Sequence, residues 1–204
     1  MSSDTYFIKL REKIIKCIDQ MLGINARDVQ VNYIDTFDFY KKIKSNYELG
    51  PEMYSDLDNV KERYKFFCEI IPGLYKWKEK TVFIKIEEIY NFGLLLVELL
   101  HAKSVTQGHS YIKSWIREGL PHFLAKILSV KCEIHYEDKG YQIYFPLWYK
   151  IHKKFDLNIL KTILFSENLK ISVNILKSIF RYDKNDILEL PYKKAKELYD
   201  KIIK

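Results

Sequence analysis

Apolar residues recur at helical spacing along much of the chain and alternate at strand spacing in a few short places. In residues 4–22, Phe7, Ile8, Ile14, Ile15, Ile18, Met21 and Leu22 share one face of a 3.6-residue period. Asp4 stands where a cap would start this helix and Gly23 where it would end. Val29-Gln30-Val31-Asn32-Tyr33 alternates and predicts a strand. Asp35 or Thr36 opens a helix to about Lys44, and residues 45–59 are polar and turn-rich, as in a loop. Residues 60–71 satisfy both periods. Leu74 to Trp77 and Thr81 to Ile86 flank Lys78-Glu79-Lys80 and predict a hairpin after the Pro72-Gly73 turn.

The stretch Glu88 to Ser104 is apolar nearly all round at its centre, which predicts a buried helix. A loop, Thr106-Gln107-Gly108-His109, leads to a second helix from about Ser114 to Val130. Pro121 moves its start towards Arg117, because proline is tolerated in a first turn and not in an interior. Residues 131–146 read as a connection with a short hairpin around Lys139-Gly140. Helices then follow at roughly 147–154, 156–166, 171–181 and 191–203. The predicted class is α+β: a small mixed twisted sheet packed on the buried helix and on the helix carrying Glu118, followed by an all-helical C-terminal subdomain. The division falls at 1–130 and 131–204.

Composition limits the choice of function. With 204 residues, 48% hydrophobic and 30% charged, the chain can bury a core, which excludes a disordered polypeptide. The net charge of +7 is carried by lysine, with clusters at Lys41-Lys42-Ile43-Lys44, Lys76-Trp77-Lys78 and Lys193-Lys194-Ala195-Lys196. Such a surface attracts nucleic acid or anionic lipid. No nucleic-acid motif accompanies it, and there are only five arginines, so a solvated lysine face is the expectation and a basic nucleic-acid-associated accessory protein a minor alternative. The longest apolar run, Phe92 to Val97, is too short to cross a bilayer, and the start lacks the basic segment of a signal peptide. Cys17, Cys68 and Cys132 are odd in number and widely spaced, which predicts unpaired buried side chains in a reducing cytoplasm.

Two segments carry the candidate chemistry: Leu96-Val97-Glu98-Leu99-Leu100-His101 on the buried helix, and Trp115-Ile116-Arg117-Glu118-Gly119-Leu120 at the start of the next. A buried apolar helix holds Glu98 and His101 only if each finds a partner. The two lie one turn apart, on neighbouring faces. Without a metal, Glu98 needs a hydrogen-bond donor or stays protonated.

This pair of segments resembles the gluzincin zinc metallopeptidases, the thermolysin-like group, and especially the small minigluzincin-type members. Their pattern is His-Glu-x-x-His on one helix and a Glu on the next, often in Trp-x-x-Glu-Gly. The two His and the second Glu bind zinc, and the first Glu is the general base. The resemblance covers residues 25–130 well and the C-terminal part only in general terms. It implies that Glu98 stands at the general-base position and that His101 and Glu118 are metal ligands. It also implies that Thr81, Val82, Phe83 and Ile84 form an edge strand on which an extended substrate pairs. The position of the first zinc His is Val97, which has no lone pair to donate.

The resemblance therefore implies a pseudopeptidase that has lost its metal and keeps a cleft for a peptide or protein, with Val97, Glu98, His101 and Glu118 at its floor. An alternative is an active zinc metallopeptidase with a rearranged site, in which His122, one turn after Glu118, joins His101 and Glu118, with Glu98 as base. Members of this group use a C-terminal Tyr or His on the oxyanion, for which Tyr141, Tyr144, Tyr149 and His152 are the candidates by position. His109 is expected at the surface, and His135 and His152 are expected to be structural or exposed.

Overall fold

The computed structural model describes residues 3–44, 72–109, 111–137 and 140–203. The loop expected over 45–59 and the ambiguous stretch 60–71 lie outside the described residues. The first helix, α1 (Ser3–Leu22), buries Ile14, Ile15, Ile18 and Leu22. It ends where the Gly23 N–H bonds the Asp19 carbonyl at 2.7 Å, with Gly23 at φ 62°. Glycine takes that left-handed geometry without a Cβ penalty.

Three strands follow in the sheet: β1 (Gln30–Ile34), β2 (Gly73–Lys76) and β3 (Thr81–Lys85), with α2 (Thr36–Lys44) between the first two. The spatial order is β1-β3-β2. β1 runs parallel to β3, from Gln30 opposite Thr81 to Ile34 opposite Lys85. β2 is antiparallel to β3, from Gly73 opposite Ile84 to Lys76 opposite Thr81. The edge strand expected at Thr81, Val82, Phe83 and Ile84 is therefore the central strand, buried along its whole length. The physical reason is a long-range pairing. A hairpin leaves both its strands with an open side, and β1 returns to fill that of β3, where Val31 and Tyr33 lie opposite Val82 and Ile84.

A short 3-10 turn, Ile86–Glu88, leads to α3 (Phe92–Lys103), whose start is capped by the Asn91 side chain accepting the Leu94 N–H at 3.0 Å. The helix predicted at 114–130 is divided into α4 (Ser114–Arg117) and α5 (Gly119–Cys132), with Glu118 at the junction. Pro121 has no N–H to give the Arg117 carbonyl, which weakens the ladder where the break falls.

No hairpin forms in the described residues around Lys139-Gly140; Tyr141–Tyr144 is a 3-10 turn that feeds directly into α6 (Phe145–Phe165). Tyr144 packs against Gly119, where a Cβ would lie 2.8 Å from its ring. Asp156 interrupts α6 at φ 65°, ψ −175°, and its carboxylate accepts the Asn158 N–H at 2.6 Å. The Asp156 side chain thus caps the second half, as the separate periods of 147–154 and 156–166 anticipate. α7 (Leu169–Phe180), a 3-10 segment at Asn185–Glu189 and α8 (Tyr192–Ile203) complete the C-terminal helices.

One core runs through all of this, from Ile14 and Leu22 of α1 through Val82, Leu96 and Leu124 to Trp148, Phe180 and Tyr199. Trp115 and Trp148 stack with ring centroids 5.3 Å apart. The Trp115 indole donates to the Leu190 carbonyl at 2.7 Å and the Trp148 indole to the Trp115 carbonyl at 2.8 Å, so each large ring is buried with its polar atom paired. Cys17 of α1 and Cys132 at the end of α5 are joined by a disulfide, their Cα atoms 6.1 Å apart. This corrects the expectation of unpaired cysteines for these two. Helix packing sets them side by side across 115 residues of sequence, a separation that spacing rules do not read. No helix among the described residues is long and apolar enough to cross a membrane.

Candidate functional site

α3 brings Glu98 and His101 to the junction of β2, α4 and α5. The backbone of β2 lies directly on Glu98: a Cβ at Gly73 would stand 3.2 Å from Glu98 Cγ and Oε1. Register decides what that backbone offers. The Lys85 N–H bonds the Pro72 carbonyl at 3.0 Å, so Pro72 and Lys85 form a hydrogen-bonded pair. Pairs alternate along an antiparallel ladder, and Tyr75 opposite Val82 is then a non-bonded pair whose N–H points away from β3. The Glu98 carboxyl accepts that N–H.

His101 is held from both sides. Its Nδ1 lies 2.9 Å from the Gln107 amide nitrogen, and its Nε2 lies 3.4 Å from Glu118 Oε2. The Gln107 contact fixes the ring with Nε2 facing Glu118. The other oxygen of Glu118 accepts from Arg117 Nε at 3.0 Å. His122 stands next to this group, its ring 5.9 Å from that of His101. Its Nδ1 is 2.8 Å from the Tyr136 hydroxyl, and the Tyr141 ring lies 4.4 Å away.

Glu98, His101, Glu118 and His122 are thus brought together, with Val97 beside them in sequence but taken into the apolar core. Glu98 and His101 are only 7% and 6% exposed, and Val97 2%. The side chains of Arg117 and Glu118, each 22% exposed, form the solvent side of the cluster. The expected cleft floor is therefore a buried polar cluster with an ion pair at its mouth.

Burial sets the protonation states. It pushes the Glu98 carboxyl up to about 8, helped by the negative charge of Glu118 and opposed by the Tyr75 N–H. Burial likewise lowers the His101 imidazole below its usual value, with Arg117 adding to the effect and Glu118 opposing it. For Glu118 burial works upward, but His101, Arg117 and His122 together outweigh it and hold the carboxyl below its usual value. Near neutral pH the cluster holds a mostly protonated Glu98, a neutral His101 and a charged Glu118–Arg117 pair.

The residues present can be tested against a zinc ion. Two ligands on one tetrahedral zinc, each with a bond of about 2.0–2.1 Å, sit roughly 3.4 Å apart. His101 Nε2 and Glu118 Oε2 have that separation. The remaining donors do not complete a site: Val97 has none, and His122 holds the Tyr136 hydroxyl through Nδ1 with its ring 5.9 Å from that of His101. Among the described residues no three donors gather in an arrangement that would hold a metal ion. As they stand, the residues do not fit a three-ligand zinc centre.

Of the other candidates, Tyr141 and Tyr144 reach the cluster, Tyr141 by its contact with His122 and Tyr144 by packing on Gly119. Tyr149 is exposed, with Lys153 over its ring, and His152 packs edge-on to Phe123. His109 lies against Tyr111, and His135 is exposed. Sequence reasoning missed Gln107, Tyr136 and the backbone of Tyr75. Gln107 carries a weak signal, a polar side chain in the loop directly after the helix of His101. Arg117 is visible in the sequence as the neighbour of Glu118, but its role in pairing that carboxylate is not. Comparison of the chain with family models, with curated proteins and with solved structures finds no match.

Proposed function

We propose that this protein is a catalytically inactive, metallopeptidase-like protein that binds an extended segment of a peptide or protein along β2. The observation that carries the reading is the partial survival of a site. His101 and Glu118 keep the separation of two ligands and Glu98 stands with them, while the position of the third ligand is a buried valine. With Thr81–Ile84 in the centre of the sheet, the strand proposed to take the segment is β2, which among the described residues pairs with one strand only. An extended peptide adding to that edge would gain main-chain hydrogen bonds, taking the Tyr75 N–H from the Glu98 carboxyl, without any hydrolytic step. The partner is a polypeptide rather than nucleic acid.

Metal analysis tests the reading. The wild-type protein dialysed against zinc is expected to retain none, and Val97→His, which restores the missing imidazole, is expected to retain about one equivalent. A well-folded Val97→His protein with no gain in zinc affinity would remove the ground for kinship. A second reading, a zinc site of His101, Glu118 and His122, needs a movement of His122, whose ring lies 5.9 Å from that of His101. Stoichiometric zinc in the wild type, lost in His101→Ala and in His122→Ala, would establish it.

A further inference from the structure

A groove of about 590 Å³ lies between α1 and the end of α5, on elements that contribute neither Glu98 nor His101. Its lining contains both Cys17 and Cys132, together with Lys9, Lys13, Lys16 and Lys131. Its two acids are engaged: Glu133 pairs with Lys13 at 3.8 Å and Glu12 with Arg27 at 3.6 Å. Lys9, Lys16 and Lys131 are exposed and have no ion pair among the described residues, so the groove carries a surplus of positive charge. Within it, Cys132 is partly exposed and Cys17 is buried. An approaching thiolate therefore meets the Cys132 sulfur first, and Cys17 becomes the leaving group with Lys13 one helical turn away.

We propose that this groove is a thiol–disulfide exchange site for an anionic low-molecular-weight thiol. The thiolate of the first small molecule attacks Cys132 Sγ. The Cys17–Cys132 bond breaks, and its electron pair leaves on Cys17 Sγ, which takes up a proton from solvent. A second small thiolate then attacks the mixed disulfide at the small molecule's sulfur. It expels the Cys132 thiolate and releases a symmetrical disulfide. Two thiols are oxidised and one protein disulfide is reduced, and the same steps in reverse re-form the bond. The lysines raise the local concentration of an anionic thiol and stabilise the thiolates that form.

The experiment compares the reduction rate of the folded, oxidised protein by three thiols: reduced glutathione, whose thiolate form carries two net negative charges, 2-mercaptoethanol, whose thiolate carries one, and cysteamine, whose thiolate is net neutral. Rates are read from the mass of alkylated protein and expressed per thiolate. Glutathione is expected to be favoured over cysteamine by tenfold or more at low salt. Raising the salt, or the combined change Lys9→Gln, Lys16→Gln, Lys131→Gln, is expected to cut that preference several-fold, with the glutathione rate falling most, the 2-mercaptoethanol rate less and the cysteamine rate least. These substitutions are on exposed helix positions and spare the core. Equal rates per thiolate for the three reagents, or a preference unaltered in the lysine variant, would overturn the proposal. So would free thiols at Cys17 and Cys132 that persist in folded protein held with oxidised glutathione.

Discussion

Glu98 is one carboxyl group, yet it couples the cluster to pH. Its folded value near 8 lies above the ordinary 4.5. Folding therefore takes up a proton between those two values. Its contribution to stability is complete below about pH 4.5 and is lost as pH rises through 8. The gap between the two values makes that loss on the order of a few kcal/mol. Glu98→Gln keeps an oxygen for the Tyr75 N–H and cannot ionise. Urea midpoints of this variant should change little between pH 7 and pH 9, above the ordinary His value of 6.5, whereas the wild-type midpoint should fall on the alkaline side. A wild-type midpoint that stays level to pH 9 would mean that Glu98 is in contact with water. His101 and Glu118 act with the opposite sign. Both are lowered, so the stability they contribute is present above their ordinary values and declines as the solution is acidified. The need of Glu98 for a donor or a proton could be read from a lone acid in an apolar helix, and both are found. Which donor it would be could not, because the Tyr75 N–H is a main-chain group aimed by strand register.

At the scale of elements, two glycines fix how closely α3 and α5 meet their neighbours. A Cβ on Gly93 would lie 2.6 Å from the His135 carbonyl oxygen and 2.8 Å from Tyr136 Cα, both main-chain atoms. A Cβ on Gly119 would meet the Tyr144 side chain at 2.8 Å. Gly93→Ala and Gly119→Ala should each destabilise by about 1–3 kcal/mol, the usual range for overpacking. Gly93→Ala should be the more damaging, because a main chain gives way less readily than a tyrosine ring. Thermal melts of the two variants check the order, and Gly119→Ala melting lower would reverse this assignment of rigidity. Most helices were legible from apolar period and caps alone. Sheet order was not, because nothing in Val29–Tyr33 says which side of a distant hairpin it will join. The break at Glu118 was half legible: Pro121 announced a boundary, but the period of apolar residues continues across it.

For the molecule as a whole, the disulfide ties the first helix to the fifth. A cross-link that closes a loop of about 100 residues is worth roughly 4–5 kcal/mol in the chain-entropy account, drawn from the unfolded state. Cys132→Ser should lose an amount of that order in urea unfolding, and adding a strong reductant should bring the wild type to the same midpoint. If the midpoints of oxidised and reduced wild type coincide, the bond restrains little. Pairing of Cys17 with Cys132 was illegible because it depends on the packing of α1 against α5, whereas the α+β class and the helical C-terminal part followed from periodicity.

The parallel pairing of β1 with β3 has a consequence for the newly made chain. β1 leaves the ribosome first but has no ladder to join until residues 81–85 have followed it. The β2–β3 hairpin needs only its own turn, and loop closure favours such local contacts over distant ones. During synthesis the hairpin is therefore the template, and the earlier strand waits, unpaired, for a partner encoded downstream.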